Sequence, residues 1–246
     1  LKIVSKEVYG QEDITRLLAE AENIRYSTTQ GTNAIVERKG PKLGMVINKN
    51  NDNLIKLMQE KDPDLFTFLV ADRVEEIDLA DLNDEELATE TATTITRLTA
   101  SGANRIVVCF DNEDATKCES QFKRIAFDNY PRHLLGAVPM LFASELAEDI
   151  SGNRRGWTAL VNSFLHPAME SFLYNAENRL REYRTKNPLL IFRNDGDASR
   201  VAKTIALRTY SSGPRGGMEG VKEFSKQYSL NNVVSMDIGG TTTDIG

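Results

Sequence analysis

Short apolar runs alternate along this chain with longer segments of helical period, and that alternation constrains its fold more than any other feature. "KLGMVINK" (42–49), "NRIVVCFDN" (104–112) and "PLLIFRND" (188–195) are too short for buried helices and are bounded by polar residues. Between them "DNLIKLMQE" (52–60), "NDEELATETATTITRLTASG" (83–102), "EDATKCESQFKRIAFDNYP" (113–131) and "GGMEGVKEFSKQYS" (216–229) carry apolar residues at helical intervals. Strands separated by helices pair mostly in parallel and bury both sheet faces. The expectation is an α/β fold, a mixed sheet flanked by helices.

The remaining segments complete this reading. Residues 10–23 are expected as a helix, 24–29 as a short strand ending in hydroxyls, and 30–40 as a helix capped by Gly40. Asn83 caps the helix at 83–102 and Gly102 stops it. Residues 65–78 alternate and suggest one or two strands. Pro139 points to a sheet edge or an irregular approach in 136–146. Pro167 is expected to bend or break a long helix over 153–184. Residues 197–206 look helical, and 231–239 form a last strand. The best boundary lies near 146–155, giving most of a first α/β domain in 1–150. A helical segment and the start of a second domain then occupy 151–246.

With 40% hydrophobic residues among 246, the chain can bury a substantial core. A net charge of -6 repels nucleic acid backbones but not a small anion held by local amides. Two cysteines, Cys109 and Cys118, make neither a disulfide framework nor a zinc site, so a reducing cytoplasm is the simplest home. No apolar stretch is long enough for a membrane span. The opening "LKIVSKEVYG" lacks an initiator methionine, and both ends read as cuts.

Three loops carry residues suited to chemistry. In "VVSMDIGGTTTDIG" (233–246), Gly239 and Gly240 let the backbone approach a phosphate, and their amides with those of Thr241 and Thr242 can wrap an anion. The Thr241, Thr242 and Thr243 hydroxyls add donors. Asp237 suits a divalent cation held through water, or the orientation of a nucleophile, and Asp244 can do similar work or tie down the loop. Gly-Gly-Thr equally suits a hairpin turn. In "TYSSGPRGGMEG" (209–220), Ser212, Gly213, Arg215 and Gly216 lie where a glycine-rich turn opens a helix. That is an anion site in form, although it lacks a Walker ending. The plainer alternative is a capped helix with glycines for close packing. In "YSTTQGTNAIVERKG" (26–40), Thr28, Thr29, Thr32 and Asn33 cluster at a strand-to-helix turn, where parallel sheets hold substrates; a simple N-cap is the alternative. His133 and His166 lack partners at metal-ligand spacing, and Asp195 and Asp197 read as a solvated turn, with the lining of a cleft as the alternative.

The segments "IRYSTTQGTNAIVERKGPKLGMVI", "SSGPRGGMEG" and "MDIGGTTTDIG", in that order, resemble the hydantoinase A/5-oxoprolinase family over nearly the whole chain. "NYPRHLLGAVPML" and "FLHPAM" look closer still to its acetone carboxylase β-subunit branch. The resemblance implies a ribonuclease-H-like fold of the actin/Hsp70/sugar-kinase superfamily, with ATP between two domains gripped by two Asp-x-Gly-Gly-Thr loops. Asp237–Asp244 matches the second loop and sets Asp237 near Mg²⁺. The first would lie upstream of Leu1 and the adenosine segment downstream of Gly246, so the chain is expected to be an internal piece, inactive alone. The implied activity is phosphorylation of a ketone enolate or bicarbonate for carboxylation, within a hetero-oligomeric complex whose partner subunit carries manganese. The alternatives are an ATP-dependent hydantoinase or 5-oxoprolinase opening a cyclic amide, and a non-catalytic ATP-sensing or scaffold domain.

Overall fold

A computed structural model describes residues 1–246 except 50, 80–82, 132, 135 and 240–242. In chain order the described elements are α1 (Lys2–Tyr9), α2 (Ile14–Glu20), β1 (Ile24–Tyr26), α3 (Gln30–Val36), β2 (Leu43–Asn48), α4 (Asp52–Lys61), α5 (Pro63–Leu69) and β3 (Val74–Ile77). There follow α6 (Asp84–Ala100), β4 (Arg105–Val108), α7 (Ala115–Asn129), β5 (Met140–Phe142), α8 (Ala143–Leu146) and α9 (Gly152–Glu182). The chain ends with β6 (Leu189–Phe192), β7 (Ala198–Arg200), two 3-10 turns, α10 (Ser212–Gln227), β8 (Met236–Ile238) and β9 (Thr243–Ile245).

These elements form two compact units, residues 38–167, and residues 1–37 with 168–246. That division differs from a split into 1–150 and 151–246. The reason is a parallel pairing of β1 with β6, Ile24 opposite Leu189, which carries the first residues of the chain into one sheet with its last third.

The unit of residues 38–167 holds a parallel sheet in the order β3-β2-β4-β5. The apolar runs of β2 and β4 are its centre, and Met45, Val46, Ile106, Val107 and Val108 are fully buried. Burial on both faces is what an uninterrupted apolar strand requires. β5 is an edge strand, as Pro139 suggests, and the Pro139 carbonyl accepts from the Ile106 amide at 3.0 Å. α6 starts in a capping box: the Asn83 side chain accepts from the Glu86 amide at 3.0 Å and the Glu86 carboxylate accepts from the Asn83 amide at 3.1 Å. Such a cap stabilises a helix by about 1 kcal/mol.

Three expectations for these segments are corrected. Residues 63–69 are helix α5, and only Val74–Ile77 is a strand. Asp62 caps α5 by accepting from the Leu65 amide at 3.0 Å, Pro63 fills its first turn, and Phe66, Leu69 and Val70 bury one helical face. Gly40 does not cap α3. The chain leaves that helix through Arg38 at φ 53°, and Gly40 instead lies under the Phe164 ring, where a Cβ would come within 2.2 Å. Pro167 does not break α9, which is continuous from Gly152 to Glu182. An interior proline costs about 3 kcal/mol. Phe164, Leu165, Met169 and Leu173 are all buried around it, each contributing about 1.5–3 kcal/mol, and so outweigh that cost.

In the other unit β1, β6 and β7 form a three-stranded sheet, parallel between β1 and β6 and antiparallel between β6 and β7. Residues 197–206, expected as helix, are β7 and a 3-10 turn. Gly196 at φ +89° reverses the chain, and the Arg193 amide donates to the Asp197 carbonyl at 2.8 Å, closing a hairpin. Tyr26 stacks on Phe172 with ring centroids 5.9 Å apart, and Asn187 Nδ2 donates to the Ala21 carbonyl at 2.8 Å. β8 and β9 form a separate antiparallel hairpin. Among the described residues, no helix is long and apolar enough to cross a membrane.

Candidate functional site

β1 and β6 run parallel, so their carboxyl ends open on the same sheet edge. From them leave the hydroxyl-rich turn at 27–29 and the turn at 193–197, and the glycine-rich start of α10 packs between these two. Ser212, fully buried, donates a long hydrogen bond to the Thr28 carbonyl at 3.5 Å. A Cβ on Gly213 would stand 3.8 Å from Thr29 Cγ2, and one on Gly216 would meet the Phe192 ring at 3.5 Å. Two of the three loops marked by sequence thus meet, although Thr28 and Ser212 are 184 residues apart.

On the first of these loops the Thr28 hydroxyl accepts from the Gln30 amide at 3.1 Å, so it is Thr28 that closes the turn into α3. Thr29 makes no side-chain cap and is exposed, while Thr32 and Asn33 are half-buried within α3.

The second loop is not a loop. Gly213, Pro214, Arg215, Gly216 and Gly217 lie inside α10, which starts at Ser212 rather than near residue 216. Ser211 supplies the reversal, at φ 55° and ψ 23°. Pro214 falls in the first turn, where helix amides have no intrahelical partner and its missing N–H costs little. Each helical glycine costs about 1 kcal/mol relative to alanine. A Cβ at 213 or 216 would stand at ordinary contact distance from Thr29 and Phe192, so packing does not explain the glycines there. Ser211 was not marked by sequence; serine type is visible there, but a left-handed φ is not.

Arg215 is engaged within its own helix. Its guanidinium binds Glu219 at 2.7 Å, while its buried Nε finds no hydrogen-bond partner among the described residues. The Gly196 turn lies against it, a Cβ there standing 3.1 Å from Nη2. Glu219 also accepts from Lys222 at 2.9 Å, and that bond, with the charges around it, holds its carboxyl below the usual range. Asp195 is not merely solvated: it binds Arg193 at 3.1 Å and Arg208 at 3.0 Å. Partial burial pushes its carboxyl up, but the Asp197 amide and the two guanidiniums outweigh this and hold it low.

The third loop is flanked by β8 and β9. Their register sets Asp237 opposite Asp244 and Ile238 opposite Thr243, and Ser235 and Gly246 exchange both backbone hydrogen bonds, at 2.8 and 3.1 Å. Gly239 is exposed; Gly240, Thr241 and Thr242 lie outside the described residues. Ser235 Oγ stands 3.7 Å from Met218 Sδ, so the hairpin touches α10 two turns beyond Ser212. Among the described residues, no group of three or more His, Cys, Asp or Glu forms a metal cage. Two facing carboxylates do fit Mg²⁺, which takes one or two carboxylates and fills its shell with water and phosphate oxygens.

This arrangement defines an α/β protein with a parallel and a mixed sheet flanked by helices, and with hydroxyl- and glycine-rich segments gathered around one helix, α10. Residues 3–126 match the family model of the hydantoinase/oxoprolinase N-terminal region, and residues 155–246 match that of hydantoinase/oxoprolinase. The chain belongs to the hydantoinase/oxoprolinase family. It is 26% identical to the acetophenone carboxylase gamma subunit of Aromatoleum aromaticum, over 94% of this chain and 35% of that protein. It is 25% identical to 5-oxoprolinase 1 of Arabidopsis thaliana, over 90% of this chain and 20% of that protein. A nucleotide-free structure of acetone carboxylase, the subject of work on ATP-dependent acetone carboxylation, superposes with a TM-score of 0.81 at 19% identity, over 98% of this chain and 37% of that one. The chain therefore spans about a third or less of the length of these proteins, and the last likeness is one of fold.

Proposed function

We propose that this chain forms part of an ATP-dependent enzyme that phosphorylates an unreactive oxygen and so opens the way to carboxylation or ring opening. The observation that carries this reading is the meeting of Ser212 with Thr28 at the carboxyl edge of β1 and β6, the edge at which parallel sheets bind ligands. The amides of Gly239 and Gly240 and the hydroxyls of Thr241, Thr242 and Thr243 hold the phosphates and stabilise charge on the transferred group. Ser212, Gly213 and Gly216 bring the α10 backbone close, and Arg215, once released from Glu219, balances phosphate charge. Thr28, Thr29, Thr32 and Asn33 face the acceptor. Asp237, with Asp244, would hold Mg²⁺, which would supply positive charge to balance the phosphates; Asp237 is also placed to orient the attacking oxygen.

The first reading of the substrate is a ketone enolate or bicarbonate, in a carboxylase subunit of acetone carboxylase type acting with other subunits. The likeness to a carboxylase gamma subunit supports it. The second is a cyclic amide, favoured by an almost equal identity, 25%, to a 5-oxoprolinase. The test is ATP turnover by the full-length protein with acetone plus bicarbonate, hydantoin, or 5-oxoproline. Stimulation by the ketone pair is expected. Stimulation by a cyclic amide alone selects the second reading, and absence of ATP turnover with every substrate rejects both.

A further inference from the structure

The unit formed by residues 1–37 and 168–246 carries an open pocket of about 320 Å³ where α9 ends and β6 begins. We propose that this pocket binds a small phosphate monoester, a dianion with a carbon body. The lining holds three cations, Arg181, Lys186 and Arg200, and one carboxylate, Glu177. Arg181 and Glu177 answer each other at 3.3 Å. Lys186 and Arg200 remain, and among the described residues neither side chain makes a hydrogen bond or an ion pair. Basic residues at a helix end can serve its dipole. Here the last carbonyls of α9 are already satisfied: that of Leu180 accepts from the Tyr183 amide at 3.0 Å and the Thr185 hydroxyl at 3.2 Å, and that of Arg181 from the Arg184 amide at 2.9 Å.

The lining thus carries an excess of positive charge in a chain of net charge -6, a local reversal of sign that draws an anion. Arg200 closes β7 opposite Leu190, and Lys186 leads into β6, so both cations rise from one end of the sheet. That end is pinned by Asn187 Nδ2, which donates to the Ala21 carbonyl at 2.8 Å. A guanidinium takes two oxygens in its fork, and an ammonium takes a third as a point charge. A phosphate monoester offers three such oxygens and two charges; a carboxylate offers two oxygens and one charge. Leu180, Pro188 and Leu189 supply an apolar wall that a carbon body can cover and a bare phosphate ion cannot. The volume suits a small ligand. The contact of Ser212 with Thr28 lies at the carboxyl ends of β1 and β6, and this pocket lies at the amino end of β6, which makes it a second site.

Calorimetric titration of the full-length protein with phenyl phosphate and glycerol 3-phosphate tests the site. Inorganic phosphate serves as the anion without a carbon body, and benzoate as the ring with a single charge. At least one ester is expected to bind about tenfold or more tighter than either control. Lys186→Gln and Arg200→Gln should each weaken that ester by about tenfold, at an unchanged melting temperature because both side chains are exposed. Binding of inorganic phosphate or benzoate as tight as that of the better ester, no binding of either ester, or undiminished binding in either variant overturns the proposal. So does a wild-type crystal soaked in phenyl phosphate that holds the ester only elsewhere, a readout independent of any variant's folding.

Discussion

Asp237 and Asp244 stand directly opposite each other in the β8–β9 ladder, two carboxylates on one face of a two-stranded hairpin. Like charges directly opposite each other destabilise a strand pair, a repulsion that the proposed cation between them would remove. Asp237→Asn in the full-length protein should lower ATP turnover by about a hundredfold, the scale of removing a group that acts on transition-state charge, while leaving the melting temperature unchanged or slightly raised. Wild-type turnover in a purified Asp237→Asn enzyme removes this residue from the mechanism.

Ser212 is buried, and its hydroxyl joins α10 to the Thr28 carbonyl. Ser212→Ala should cost about 1 kcal/mol, the usual net value of such a bond. It should also raise KM for ATP more than it lowers kcat, because it loosens the approach of the two segments proposed to bind, without touching a reacting group. Denaturant unfolding with parallel steady-state kinetics checks both parts; an unchanged KM with an unchanged midpoint contradicts them.

Gly40 lies where any side chain meets the Phe164 ring. Gly40→Ala should destabilise by about 1–3 kcal/mol through overpacking. The double variant Gly40→Ala/Phe164→Leu should recover part of that loss. Additive losses in thermal unfolding would show that the ring is not the obstacle.

Glu119 is 1% exposed and accepts from the Phe110 amide at 3.1 Å and from the Ser144 amide and hydroxyl at 2.8 and 2.6 Å. Burial is the larger influence and raises its carboxyl above the ordinary 4.5 despite these bonds. The folded protein therefore keeps a proton on Glu119 at pH values where the unfolded chain has lost it. Its contribution to stability is greatest below 4.5 and declines as pH rises from there toward the raised value. The stability gap between wild type and Glu119→Gln should accordingly narrow with rising pH in urea unfolding series. A gap that stays constant or widens refutes the assignment.

Cys109 is fully buried, and burial pushes its thiol up to about 12. Cys118 is half-buried and free. Alkylation of native protein at pH 8 should label Cys118 and spare Cys109 until the chain unfolds, because the thiolate is the reactive form. Mass spectrometry of the two peptides reads this directly, and equal labelling of both would contradict the buried strand.

Much of the fold was legible before any coordinates. β2, β4 and β6 announce themselves as apolar runs of strand length, and α4, α6 and α7 as helical periods. The Asn83 cap, the Gly102 stop and the edge position of Pro139 follow from rules that act over a few residues. Of the candidate site, residue types were legible and assembly was not. Thr28 and Ser212 were marked separately, and their contact was invisible because it depends on β1 pairing with a strand 165 positions later (189 − 24). Tertiary packing also decided α5, since a short apolar run suits helix or strand until its burial partners are known. It decided β7, where a sheet edge overrode a weak helical pattern. Local sequence sets what each segment can become at a cost of a kcal/mol or so per residue. Burial against distant segments is worth several times that, and it chose among the possibilities.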